Sequence, residues 1–491
     1  MAWRKIRGVF GAFLILTMLL GSWQTAFADM YKLSAEDEAF LDQVQERTFR
    51  WFWEATPAKT GLTPDRWPSN ISSSVAAIGF ALSAYPIGAE RGWVGREAAR
   101  HRTLETLRFL TEAPQGPSAT GVAGYKGFFY HFLDMESGTR FRDSELSSVD
   151  TALLLGGVLL AQAYFDGDEA EEAEIRDLAQ TLYERVDWTW MQKRSPLISM
   201  GWEPGKGFIK ADWRGYNEGM LVYLLAMGSP TYPVDPSAWK VWTDTYDKSW
   251  NRSLDAKDAG PHQAHLSFAP MFGHQYSHVW VDFRGIKDAE MRARGLDYFE
   301  NSRRATYSQR AYAIANPSGW DGYGADIWGL TASDGPGIFK ARVNGDMRQF
   351  HAYWARGYAP GDVRDDGTLV PTAAGGSVPF APEITIPALK AMVDRYGDHL
   401  FTDYGFRDAF NPTLKDEALL EEGATLSRGD IVPGVGWFDD DYLGIDQGPI
   451  LLMIENYRSG MIWDLMKKNS HLIRGLCLAG FDGGWIKGKC S

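Results

Sequence analysis

Apolar positions along this chain group into two kinds of helical run. One kind is amphipathic and charged, over roughly 36–55, 95–113, 170–191, 236–250 and 288–315. The other is apolar and rich in small residues, over roughly 70–86, 144–165, 215–228, 274–283, 379–395 and 445–457. A helix with one charged side turns that side to water, and a helix apolar all round is buried. Through most of the chain the two kinds alternate. Few runs alternate with period 2 and no βαβ rhythm appears, so the expected class is all-α. Charged helices outside and apolar helices inside predict an (α/α)6 barrel, a toroid of helical hairpins. Six inner candidates and five clear outer ones are present, with 457–468 as a sixth outer one. Ser34 before Glu36 and Asp37 is a good start signal for the first helix.

The connections are unequal. Those from outer to inner runs are long and rich in Gly, Pro and aromatics: 114–143, 192–214, 251–273 and 316–378. Those from inner to outer runs are short. Long loops inside a compact domain are usually functional, so one end of the barrel is expected to carry the site, the end where inner helices begin. Four inner runs begin on a carboxylate at that end: Asp150, Glu218, Glu383 and Asp446. Four such acids suggest helix mouths gathered around an acidic cleft, suited to acid/base chemistry on a neutral, hydroxyl-rich substrate.

Composition narrows the classes. Residues 1–28 read as a secretory signal peptide: Arg4, Lys5 and Arg7, a short apolar run, then Ala26-Phe27-Ala28. This predicts a periplasmic or secreted protein, with 29–491 as one domain and no linker inside it. The leader carries three positive and no negative charges, so its removal moves the formal charge from −13 to −16. Such a chain is a poor partner for nucleic acid or an anionic membrane. Later apolar runs are too short to span a bilayer. Cys477 and Cys490 could close a C-terminal loop in an oxidising compartment. Neither they nor His274 and His278, four apart without a third ligand, make a metal site, and no phosphate-loop or dinucleotide fingerprint calls for a cofactor. Trp numbers 20, some of it in Gly-rich segments where indole could stack on sugar rings. The pattern leaves the oligomeric state open.

Six segments carry a resemblance: GFFYHFLDMESGTR (127–140), SELSSVDTALLL (144–155), GYNEGMLVYLLAMGSPTYP (215–233), YGADIWGLTASDGPG (323–337), PTAAGGSVPFAPEITIPALKAM (371–392) and YLGIDQGPILLMIENYRSG (442–460). In these the sequence resembles the bacterial glycoamylase-like family. That family is similar to endo-β-1,2-glucanases, sophorose-releasing enzymes and the glycoamylase-like domain of cyclic β-1,2-glucan synthases. The resemblance implies an (α/α)6 barrel, glucan hydrolysis and, for the glucanases, inversion. Another glucan linkage and a non-catalytic glucan-binding protein are the alternatives.

Inverting hydrolysis needs a proton donor and a base that activates water. Glu218 is the candidate acid. It matches the family's Tyr-Asn-Glu segment, and burial at the mouth of an apolar helix would raise its pKa. The opposing reading is a helix-start glutamate whose pKa the macrodipole lowers. Asp446 is the candidate base, or else an N-cap. Asp143, Glu145, Asp150 and Arg140 form a candidate hydroxyl-binding group, although Ser147-x-x-Asp150 also reads as a capping box. Glu203, Trp213, Trp328, Glu383 and Asp440 complete the candidate substrate-binding set. Asp439, Asp440 and Asp441 could hold sugar hydroxyls or make a solvated turn.

Overall fold

The computed structural model describes residues 31–251 and 264–490. The leader expected over 1–28 lies outside them. The chain divides into compact units at Phe40/Leu41. In the first, the Asp37 amide donates to Ser34 Oγ at 3.1 Å, the cap that starts helix Ala35–Ala55. Everything below concerns the second unit.

The apolar runs form helices Val75–Glu90, Ser148–Tyr164, Met220–Gly228, Phe272–Trp280, Pro382–Tyr396 and Gly444–Arg458. Met220–Gly228 is buried at every position, and Val75–Glu90 from Val75 to Gly88, as all-round apolarity requires. Val75–Glu90 packs on Ser148–Tyr164 and Gly444–Arg458, and Phe272–Trp280 also packs on Gly444–Arg458. Glycine sets the closest approach. A Cβ on Gly157 would stand 2.0 Å from Gly79 O, and one on Gly79 would stand 2.3 Å from Leu153 O.

The charged runs are also helical, but three are broken. The run 288–315 becomes Ala289–Arg294 and Tyr298–Ala315, separated at Gly295 with φ 76°. Asp288 and Asp297 cap the two pieces through Met291 N and Glu300 N. The runs 170–191 and 236–250 each shed a final short turn. Helices Pro371–Gly375 and Ser470–Leu478 fall outside the predicted runs. Cys477 and Cys490 are disulfide-bonded. Among the described residues no helix is long and apolar enough to cross a membrane.

The all-α expectation needs amendment, because the described residues also form ten small sheets of two or three strands. They sit in segments between the helices, where backbone groups that no helix satisfies must find partners. The longest is the hairpin Phe339–Val343/Asp346–Phe350. Its turn residues Asn344 and Gly345 both have positive φ, the backbone of a type I′ turn. Phe339, Ala341, Val343 and Phe350 from this hairpin share a small core with Trp320, Ala409, Leu414 and Trp437. The loops 316–378 and 395–445 are thereby packed on each other.

Candidate active site

Glu218 lies in an irregular turn entered at Gly215, φ 81°, and closed by Gly219, the N-cap of Met220–Gly228. It therefore precedes the helix and does not cap it. Its side chain is partly exposed, yet Oε2 is shielded and has no hydrogen-bond partner. Surrounding protein that replaces water lifts the carboxyl to about 7, and the charge of Asp150 adds to this.

Helix Phe272–Trp280 ties this turn to Asp446. Ser277 Oγ accepts from Leu221 N at 3.2 Å and donates to the Glu218 carbonyl at 3.5 Å. The adjacent Tyr276 hydroxyl donates to the Ile445 carbonyl at 3.2 Å. The charges of Asp446, Glu218 and Asp150 all act on the Tyr276 phenol. The acids at the starts of three apolar helices thus share one neighbourhood.

Asp446 is only 3% exposed and belongs to a cluster of aspartates. The strand pair Arg66–Trp67 with Tyr442–Leu443 sets Asp65 opposite Gly444, whose amide donates to the Asp65 carbonyl at 2.8 Å, and the Ser69 amide donates to Asp441 Oδ1 at 3.0 Å. The Asp408 amide donates to the Asp441 carbonyl at 3.0 Å, and the Asp334 amide donates to Asp408 Oδ2 at 2.8 Å. Arg66 pairs with Asp334 and, at 3.1 Å, with Asp65. Arg428 pairs with Asp441 and stands 3.4 Å from Asp334. Asp441 also accepts from Ser69 Oγ at 2.7 Å. These two guanidiniums do not balance Asp65, Asp334, Asp408, Asp439, Asp441 and Asp446. Burial and like charge push Asp408 and Asp439 well above the usual carboxylate range. Burial lifts Asp446 to about 7, while a hydrogen bond from Asp408 holds it down. Asp408 is raised and Asp446 lowered by their mutual interaction, so the two titrate as a pair. Asp408 Oδ1, Asp439 Oδ2 and Asp446 Oδ2 have no protein partner.

A third group stands beside Glu218. His131 Nδ1 is 2.9 Å from Glu145 Oε1, and Nε2 is 3.6 Å from Asp150 Oδ1. Burial opposes the imidazolium, but the Asp150 charge and the Glu145 hydrogen bond raise it to about 9. Ser147 both receives the Asp150 amide, at 3.2 Å, and donates to its carboxylate. Ser147 therefore caps the helix, and the Asp150 carboxylate bonds the Ser147 hydroxyl in place of its amide, which leaves Oδ1 for His131.

Other candidates stand elsewhere or are occupied. Trp213 is buried and donates to Ser148 Oγ at 2.8 Å, and Trp328 is wholly buried. Neither can be the stacking platform its Gly-rich surroundings suggested, because each packs in the interior. Arg140 is spent locally: Nε donates to the Ser144 carbonyl at 2.7 Å, and the guanidinium covers Tyr130. Glu203 pairs with Lys206 at 2.6 Å on a hairpin. Glu383 pairs with Arg303 at 2.7 Å and accepts from Tyr307. Asp143 and Asp440 are exposed, and Asp440 accepts from Gly429 N at 3.2 Å. His274 and His278 are core residues bonded to Tyr216 and Ser302.

The sequence reasoning missed His131, Arg66, Asp334, Asp408 and Arg428. Asp334 and Asp408 sit in turn-rich loops without periodicity. The one local signal was Asn344-Gly345 between alternating residues, which marks the hairpin that packs their loops together. Two groups offer three ligand atoms within 4.8 Å of one another, His131/Glu145/Asp150 and Asp334/Asp408/Asp439. Each could hold a cation by spacing, but positive charge is already supplied, by His131 in the first and by Arg66 and Arg428 in the second.

Residues 210–470 match the family Glycoamylase, described as "Putative glucoamylase". The chain is similar to the exo β-1,2-glucooligosaccharide sophorohydrolase (non-reducing end) of Parabacteroides distasonis, 30% identical over 478 residues. That alignment covers 92% of this chain but 59% of the relative, so the chain spans under two thirds of its length. Among solved structures, an endo-β-1,2-glucanase from Chitinophaga pinensis in complex with sophorotriose and glucose superposes with TM-score 0.75 at 26% identity, covering 92% of this chain and all of the other. A β-1,2-glucanase from Parabacteroides distasonis gives TM-score 0.75 at 28% identity, covering 92% of this chain and 60% of that one.

Proposed function

The chain belongs to the glycoamylase family, and from that premise we propose that it is a glycoside hydrolase that cleaves β-1,2-glucan with inversion. One observation carries this reading. An unpartnered carboxyl held near neutrality, Glu218, and Asp446, which titrates with Asp408, flank the same helix. The names of the similar proteins, a sophorohydrolase and β-1,2-glucanases, support the linkage. We also propose that the alternating helices close into an (α/α)6 toroid and that the protein works in the periplasm or outside the cell.

Glu218, raised to about 7 and so still partly protonated at neutral pH, gives its proton to the glycosidic oxygen as the bond to the anomeric carbon breaks. Water attacks that carbon from the opposite face and loses a proton to the Asp446–Asp408 pair, which holds one proton and one negative charge beforehand. General acid and base steps of this kind contribute about 10²–10⁴-fold each. Glu145 and Asp150, fixed by the His131 imidazolium, accept from sugar hydroxyls.

The test is incubation of the purified protein with β-1,2-glucan, following new reducing ends and the anomer formed first by NMR. Cleavage with the α anomer appearing first is expected. Cleavage of a β-1,3-, β-1,4- or α-glucan with none of the β-1,2-glucan overturns the linkage, and initial β anomer overturns inversion.

A further inference from the structure

Tyr353 stands apart from the other aromatic residues around the acids. Half of its surface is exposed. Burial, then the charges of Asp446, Asp408, Asp65 and Asp334, hold its phenol well above the usual range. A half-exposed ring within electrostatic reach of these carboxylates offers a face to a ligand held among them.

Backbone pairing explains its position. Ala332–Ser333 pairs antiparallel with Trp354–Ala355 in the register Ser333↔Trp354. Continuing that register places Tyr353 opposite Asp334, whose amide binds Asp408. The segment is held from below by Arg356, whose side chain is fully buried. Its guanidinium makes two 2.7 Å bonds to Asp366. It also donates to the carbonyls of Ser333, Asp334 and His351, at 3.0, 3.1 and 3.0 Å. One side chain thus fixes both strands of the pair. Next to Tyr353, Trp354 is engaged by the stacked His351 ring, with centroids 4.0 Å apart. No ring contact of this kind covers Tyr353 among the described residues.

We propose that Tyr353 is a substrate-binding residue that stacks on a glucosyl ring of the β-1,2-glucan beside the Asp446–Asp408 pair, with Arg356 as the bracket that sets its position. The C–H face of a pyranose is apolar and matches an aromatic face, while the ring's hydroxyls reach the surrounding carboxylates. This rests on the glucan reading above.

The experiment compares Tyr353→Ala, Tyr353→Phe and Tyr353→Trp with wild type in steady-state kinetics. It repeats the comparison by calorimetric binding of β-1,2-glucooligosaccharides in a Glu218→Gln background. Tyr353→Ala should weaken binding about tenfold, as truncation of a stacked aromatic does. Phe and Trp should restore most of it, with the melting temperature unchanged throughout. Tyr232→Ala, at the far end of helix Met220–Gly228, serves as the exposed-tyrosine control. Wild-type affinity in Tyr353→Ala, or a loss in Tyr353→Phe equal to that in Tyr353→Ala, overturns stacking while the glucan reading stands. A wild-type protein that neither cleaves nor binds the glucan removes both.

Discussion

The Glu218 turn and the Asp334–Asp446 cluster both contain carboxyls that keep protons near neutral pH, and they achieve it differently. Glu218 is a single acid against apolar helix starts, and lost hydration supplies most of its shift. Asp446 and Asp408 sit among four more carboxylates, with Arg66 and Arg428 close by. There, repulsion between like charges adds to burial, and the guanidiniums keep the cluster from flying apart. Isolation suits a group that must release its proton completely to a leaving oxygen. A network suits a base, because the proton taken from water is shared.

The largest break of this contrast is in turnover. Glu218→Gln should lower kcat by about 10³-fold with the circular dichroism spectrum unchanged. Asp446→Asn and Asp408→Asn should each cost about 10²–10⁴-fold. Losses from the two Asn changes should fail to add, because residues acting as a unit are non-additive.

Next comes stability. Removing a buried cation leaves carboxylates uncompensated, so Arg66→Met should cost about 3–5 kcal/mol in urea unfolding at pH 8. The same change should cost less at pH 5, where the raised carboxyls Asp408, Asp439 and Asp446 take up protons.

A smaller effect concerns pH. The proposed acid must be protonated and the pair must keep one negative charge, so kcat/KM should fall on both sides of about pH 7. Linkage gives a second readout. Glu218's folded pKa is raised above its unfolded value, so its contribution to stability is complete below the unfolded value and is lost as pH rises through about 7. Glu218→Gln should therefore melt a few degrees above wild type at pH 8 and show no gain at pH 4. Lower stability of the variant at pH 8 would contradict the desolvated carboxyl.

The smallest effect is the control. Glu383 also opens an apolar helix, but Arg303 and Tyr307 satisfy it. Glu383→Gln should leave turnover within about twofold and change stability by under about 1 kcal/mol, as half-exposed ion pairs do. A loss matching that of Glu218→Gln would return Glu383 to the site.

Glu218, Asp150 and Asp446 were legible because each stands at the mouth of an apolar run, a place the periodicity marks. Asp334 and Asp408 stand in loops whose sequence carries turns but no period, and their meeting depends on a small core shared by segments about seventy residues apart. Trp213 and Trp328 were misread for a related reason. A Gly-rich neighbourhood says that a loop bends, not which way its indole faces. Tyr353 was invisible among the aromatics, since its exposure follows from the Ser333↔Trp354 pairing and the Arg356 bracket.

By itself the sequence determined which helices are buried, which face water, and which acids head the buried ones, because apolar periodicity and burial obey the same local geometry. Tertiary structure alone decided which of those acids is left unpaired, which is neutralised by a partner, and which titrates together with a residue elsewhere along the chain. The physical reason is that a carboxyl's charge state is set by everything within several ångströms, and most of those neighbours come from elsewhere in the sequence.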